Sequence, residues 1–287
     1  MKTGIIGLPQ VGKTSLFRIL TKAHLSDQAR ANPREAHIGV AKVPDDRLDR
    51  LASLYNPKKL THTSVEYVDV GAIGQEALKD SAYAAHLRNV DALAHVVRVF
   101  DDPSVPHTGE IDPLRDIKNV EFDLLVSDLG QMEKRLERLE KDLKKMKTPE
   151  LEKEFELLKR AKAQVESDKP LREMEMTVED KKRIKGFMFL SEKPIFYVLN
   201  IGESTELGKE LEEAVSKYKL TEIAARPNAA ATAICGKVEA ELAEMSDADA
   251  AEFCGNALVV LAEVDSRLDS EDHARLELAC LWLSAIA

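Results

Sequence analysis

The sequence predicts an α/β fold in which a mostly parallel sheet, flanked by helices, carries an inserted antiparallel pair of long helices. Three observations predict it. Short apolar runs recur along the chain, parted by helical or long connecting segments, the signature of strands joined by crossovers. A glycine-framed turn, Gly7-Leu8-Pro9-Gln10-Val11-Gly12, joins the first of these runs directly to a helical segment. Between the third and fourth runs, apolar residues fall at alternating spacings of four and three, the seam of a coiled coil.

Taken in order, Lys2-Thr3-Gly4-Ile5-Ile6-Gly7 is a short, mostly apolar strand candidate. Ser15 to Ala23 reads as a helix whose buried side is Leu16, Phe17, Ile19 and Leu20. Residues 25–37 are polar, broken by Asn32-Pro33, and read as an exposed loop. Val65 to Asp69 is the second strand candidate, Ala92 to Val99 the third and Pro194 to Asn200 the fourth. Thr221 to Ala225 is a weaker fifth. In the insert, Leu125, Leu129, Met132, Leu136, Leu139, Leu143 and Met146 form the seam of a helix roughly 33 Å long. Thr148-Pro149-Glu150 interrupts it, with Thr148 as N-cap and Pro149 as the first helical position of a second helix. Leu151, Phe155, Leu158, Ala161 and Val165 keep helical spacing until Asp168-Lys169-Pro170. Two long helices packed antiparallel make a coiled-coil arm, readable as a spacer or as a partner-binding lever.

The chain has 287 residues, enough for a main domain with a smaller insert. A formal net charge of -10 excludes binding of nucleic acid by bulk electrostatics, though a local basic patch is compatible with it. No apolar run approaches the roughly 20 residues of a transmembrane helix. The three cysteines, Cys235, Cys254 and Cys280, form neither a metal-spaced pair nor a disulfide framework, which suits a reducing cytoplasm.

Gly7, Pro9, Gln10, Val11, Gly12, Lys13 and Thr14 complete a phosphate-binding loop, set as such a loop must be between a strand and a helix. A triphosphate needs many donors at short range. Glycine at 7 and 12 lets the backbone curl so that successive N–H groups point inward, and the following helix adds the positive end of its dipole. Lys13 would bridge the β- and γ-phosphates, which also makes it the candidate catalytic residue; the Thr14 hydroxyl would ligate Mg²⁺. The ion also needs an acidic neighbour. Asp69, closing the second strand, is the natural candidate.

The end of the fourth strand bears on the base. Asn200-Ile201-Gly202-Glu203 stands where guanine-binding proteins of this class carry Asn-Lys-x-Asp, whose Asp accepts from guanine N1–H and the exocyclic amine. Glu203 and Ile201 dismantle that bidentate grip, so ATP is favoured over GTP.

Together these residues resemble the YchF and Obg-like ATPase family of translation-factor-class P-loop proteins. The likeness rests on residues 7–17, on Leu20-Thr21-Lys22-Ala23, and on Val43-Pro44-Asp45-Asp46-Arg47-Leu48 with Asn56-Pro57-Lys58-Lys59. It continues through Asp91-Ala92 and His95 to Phe100, Asn200 with Glu203, and Lys237 to Glu244. The resemblance implies a Ras-like sheet domain, ATP preference, slow hydrolysis, a cytoplasmic location and association with ribosomes. It makes Gln10 to Ser15 the phosphate contacts, lays Ile201 against the adenine and puts Cys235-Gly236 in the loop that closes over the base. The expected organisation is a nucleotide domain over 1–120 and 188–287, with a helical insert over 121–187. Family members usually end in a small β-rich TGS domain, which is expected to be absent because the sequence reaches Ala287 about where it would begin.

Two stretches depart from the family pattern. The first-switch threonine that ligates Mg²⁺ falls near Pro33, which has neither hydroxyl nor backbone N–H. The second switch reads Asp69-Val70-Gly71-Ala72, so the glycine that senses the γ-phosphate is displaced or lost. Ile73 stands near where Ras-like enzymes orient the attacking water; Gln75 and Glu76 are nearby polar candidates and His37 lies in the presumed first switch. A slow ATPase switch is expected, with a hydrolysis-deficient scaffold acting through the arm as the rival towards which these departures lean. A small-molecule kinase would need an acceptor site and a mobile lid that the insert does not offer.

Overall fold

In the computed structural model, which describes residues 1–21, 37–43, 45–107, 109–203 and 210–245, six strands pair into one sheet. They are β1 (Lys2–Ile6), β2 (His37–Lys42), β3 (Ser64–Asp69), β4 (Ala92–Arg98), β5 (Ile195–Asn200) and β6 (Ala229–Ile234). Their order is β2-β3-β1-β4-β5-β6. Every neighbouring pair is parallel except β2 with β3, which runs antiparallel.

Alternation along the central strands builds two cores, one on each face. Ile5, Val96 and Val198 face one side, where they meet Leu16, Phe17 and Leu20 of α1 (Lys13–Thr21). Ile6, Val97 and Leu199 face the other, where Leu87, Ile117, Val120 and Leu124 cover them. Because both faces are covered, β4 and β5 are buried almost throughout, which is why they read as continuous apolar runs.

Among the described residues the other α-helices are α2 (Asp46–Tyr55), α3 (Gln75–Lys79), α4 (Ser81–Arg88), α5 (Pro113–Lys145), α6 (Pro149–Glu166), α7 (Val178–Ile184), α8 (Glu210–Lys217), α9 (Thr221–Ala224) and α10 (Gly236–Glu244). Two sequence readings need correction. Thr221 to Ala225 is not a strand: Thr221–Ala224 is the helical turn α9, and the last strand is Ala229–Ile234. An alanine-rich segment has low strand propensity, and pairing with β5 overrides it. The chain from His37 is also a strand, half exposed at the sheet edge, where the sequence had placed the end of a loop. Pro33 lies outside the described residues.

The insert begins earlier than its seam. Asp112 accepts the N–H of Arg115 at 3.0 Å, Pro113 takes the first turn, and α5 runs 33 residues, about 50 Å. Its first turns pack on the sheet; Leu125, Met132, Leu136 and Leu139 then meet Leu157, Leu158, Ala161 and Val165 of α6. Thr148 caps α6 with Pro149 next, as expected. Arg135 grips Glu154 through two bonds of 2.7 and 2.8 Å, and Lys162 reaches Glu133 at 2.9 Å, so the helices fold back antiparallel. A buried ion cluster fixes their base: Glu121 accepts from Arg172 and from Arg226, each at 2.7 Å.

Candidate functional site

Between β1 and α1 the backbone turns through positive φ at Gly7, Gln10 and Gly12. A Cβ at Gly7 would stand 2.4 Å from the Val96 carbonyl oxygen, so only glycine fits. Gly12 is equally constrained, because a Cβ there would lie 2.4 Å from Asn200 Nδ2. The loop is thereby pressed against the ends of β4 and β5.

The result is a cleft of about 930 Å³. Gln10, Gly12, Lys13, Thr14 and Ser15 line one end of it; Asn200, Ile201, Glu203, Cys235 and Gly236 line the other. The sequence had assigned all ten. Gly7 and Val11 shape the loop from beneath instead, both buried, and Pro9 is exposed beside the cleft.

Lys13 is 7% exposed, and its Nζ donates to the Leu8 carbonyl at 2.6 Å. Burial pushes its ammonium down to about 8, with Asp69 pulling the other way. Thr14 donates its hydroxyl to Asp69 Oδ2 at 2.8 Å, while Asp69 Oδ1 accepts the N–H of Gly71 at 3.3 Å. Asp69 is almost fully buried at the end of β3, directly opposite His37 in the β2 register. Among the described residues no three His, Cys, Asp or Glu side chains cluster for a metal. Thr14 and Asp69 fit a magnesium ion only as partial ligands, with phosphate oxygens and water completing the set, which is the usual habit of this ion.

Asn200 organises the other end. Its Nδ2 donates to the Val11 carbonyl and its Oδ1 accepts the N–H of Gly236, both at 3.0 Å. Its own carbonyl takes the N–H groups of Val99 and Phe100. Glu203 is exposed and paired with Lys237 at 2.7 Å. Cys235 is half-buried at the start of α10.

The sequence missed one wall. Phe100, Asp101, Asp102, Pro103 and Val105 line the cleft beside Asn200. Buried Arg98 holds them, donating to the carbonyls of Phe100, Asp102 and Val105 at 3.1–3.4 Å and lying 4.2 Å from the centre of the Phe100 ring. A lone arginine within the apolar run Val96 to Val99 was the available signal, since a buried charge demands partners. The second-switch residues stay apart from the cleft lining. Ile73 is buried with its N–H donated to the Gly7 carbonyl at 3.1 Å, Ala72 is exposed, and Glu76 is exposed and paired with Lys79. Gln75 begins α3.

Comparison with known proteins places this arrangement among relatives. The chain is 37% identical over 254 residues to the ribosome-binding ATPase YchF of Bacillus subtilis (strain 168), covering 85% of this chain and 68% of that protein. It is 32% identical over 213 residues to Obg-like ATPase 1 of Oryza sativa subsp. japonica, covering 71% of this chain and 53% of that one. The solved structure of the Schizosaccharomyces pombe YchF GTPase superposes with a TM-score of 0.69 at 26% identity, covering 89% of this chain and 71% of that one. No family model matches.

Proposed function

The chain belongs to the YchF and Obg-like ATPase family, and from that premise we propose that it binds ATP in preference to GTP and hydrolyses it slowly, as a ribosome-associated switch. The observation that carries the reading is the pair of hydrogen bonds made by the Asn200 amide, which staples the phosphate loop to the loop at Cys235-Gly236 across one cleft. The names of relatives divide between ATPase and GTPase, so the preference for adenine rests on Glu203 and Ile201. The cytoplasm is the compartment that ribosome association implies.

In this reading the domain is Ras-like, residues 1–120 and 188–287 forming the nucleotide unit and 121–187 a coiled-coil arm. Gly7, Pro9, Gln10, Val11, Gly12, Lys13, Thr14 and Ser15 serve the phosphates; Asn200, Ile201, Glu203, Cys235 and Gly236 serve the nucleoside. Lys13 exchanges the Leu8 carbonyl for phosphate oxygens, and their negative charge restores its full ammonium character. Mg²⁺ held by Thr14 and Asp69, the latter directly or through water, would neutralise charge on the β- and γ-oxygens. Asp69 orients the Thr14 hydroxyl and keeps it at the loop.

Titration with ATP and GTP, with and without Mg²⁺, tests this: GTP preference or equal affinity overturns the adenine assignment. A second reading, a nucleotide-binding scaffold that does not turn over, draws on Ile73. Its side chain is buried and its N–H is already committed to Gly7, so it offers nothing to a water. Single-turnover hydrolysis no faster than that of Lys13→Ala selects the scaffold.

A further inference from the structure

We propose that Arg88 couples the nucleotide cleft to the α5–α6 hairpin, so that occupancy of the cleft changes how the hairpin is held; this rests on the nucleotide-binding reading above. The route begins at the phosphate loop. Ile73 donates its N–H to the Gly7 carbonyl, and Asp69 holds both Thr14 and the Gly71 N–H. A shift of the loop is therefore felt by residues 69–73. Asp80 then joins α3 to α4, donating its N–H to the Ala77 carbonyl at 3.1 Å and accepting the N–H of Ala82 at 2.8 Å. The two short helices form one elbow, and α3 packs directly on α5.

Arg88 is the last residue of that elbow. Its guanidinium, with the side chain 16% exposed, donates to Ser127 Oγ at 3.0 Å, Asp128 Oδ1 at 3.4 Å and Gln131 Oε1, all on α5. A fourth bond of 3.5 Å goes to the Met188 carbonyl on the segment returning to the sheet. Lys193, two residues before β5, donates to the carbonyls of Arg88 and Val90 at 3.0 and 2.6 Å. Asp128 is completely buried and also accepts the N–H groups of Leu190 and Ser191 and the Ser191 hydroxyl. The end of the elbow, the base of the hairpin and the entry to β5 thus share one polar node.

Apolar contacts tolerate sliding. A planar guanidinium fixed by four acceptors does not, and a buried Arg–Asp pair resists partial opening because an exposed alternative for the carboxylate is far away in energy. Movement of the elbow must then either turn α5 or break the node. Beyond Gln131, α5 continues to Lys145, roughly 21 Å further, so a small rotation at the node becomes a larger displacement at the far end.

The test is amide hydrogen exchange on the whole chain, free, with Mg²⁺ and a non-hydrolysable ATP analogue, and with ADP. Calorimetry measures nucleotide affinity in parallel. Exchange over residues 134–166 is expected to differ at least two-fold between the analogue and ADP in the wild type. In Arg88→Ala that difference is expected to vanish with affinity changed by less than about two-fold, whereas Arg88→Lys restores part of it. Gln131→Ala removes one of the four acceptors and leaves Arg88 paired with the buried Asp128, so it is expected to reduce the difference in part should Arg88→Ala fail to fold. A wild-type hairpin indifferent to the nucleotide overturns the inference alone, as does an Arg88→Ala or Gln131→Ala protein that keeps the full difference. A wild type that binds no nucleotide overturns it together with the proposed function.

Discussion

Asn200 and Gly12 stand so close that a single methyl group between them would collide: a Cβ on Gly12 lies 2.4 Å from Asn200 Nδ2. The phosphate loop and the base loop are therefore one construction. Asn200 spends its amide on the Val11 carbonyl and the Gly236 N–H, not on solvent.

Asn200→Ala removes both bonds and leaves two backbone groups without partners. Each such loss costs about 1–3 kcal/mol. Because the bonds order the cleft, most of that loss is expected in binding, with ATP affinity falling about 10- to 100-fold. Calorimetric titration checks it, and unchanged affinity would mean that the loops are ordered independently of Asn200. Gly12→Ala is expected to do comparable damage by collision.

Arg98→Met tests the wall that the sequence did not disclose. The substitution keeps the stem but strips the carbonyls of Phe100, Asp102 and Val105 of their shared donor. A stability loss of about 2–4 kcal/mol is expected. Affinity for ATP should fall more than affinity for inorganic triphosphate, because the loop starts beside Asn200, whose carbonyl accepts the N–H of Phe100. Equal losses for the two ligands would refute a role confined to the nucleoside end.

What the sequence disclosed and what it hid have physical reasons. The phosphate loop was legible because its chemistry demands glycine at fixed places, and β4 and β5 because burial on both faces makes them mostly apolar; β3 is buried only over its second half, where Tyr67 and Val68 carried the signal. Edge strands lack that signal. β2 alternates half-buried with exposed residues, and β6 is mostly alanine, so pairing alone defines them. The first turns of α5 escaped the heptad reading because Ile117, Val120 and Leu124 answer to the sheet and not to α6. Beyond Phe100 the wall at residues 101–105 carries no motif, since main-chain carbonyls held by Arg98 build it. Asp69 was legible as an acid closing a strand, but its bond to Thr14 is a fact of three dimensions.

Asp128→Asn is nearly isosteric and is nevertheless expected to destabilise the protein by about 2–4 kcal/mol. The carboxylate accepts from the N–H groups of Leu190 and Ser191, the Ser191 hydroxyl and Arg88, and of these only the hydroxyl can turn to accept. An amide would point its own N–H groups at one of them. Thermal unfolding reads the cost, and a Tm within a degree of wild type would show that the node carries little energy.

Lys13 makes two pH effects of opposite sign. Its folded pKa is about 8 against an ordinary value of 10.5, so between these values the unfolded chain binds the proton that the folded one has lost. Stability must therefore rise with pH across that window, by on the order of 3 kcal/mol in total, and the full penalty is present below pH 8. Binding goes the other way. A triphosphate needs the ammonium, so above pH 8 ATP binding must take up a proton and affinity falls up to about ten-fold per pH unit. Lys13→Arg keeps its charge throughout, and its affinity, although lower, should be flat from pH 7 to 10. Calorimetry in buffers of different ionisation enthalpy measures the proton uptake directly. Uptake that is the same in wild type and Lys13→Arg would show that Lys13 is not the group that titrates.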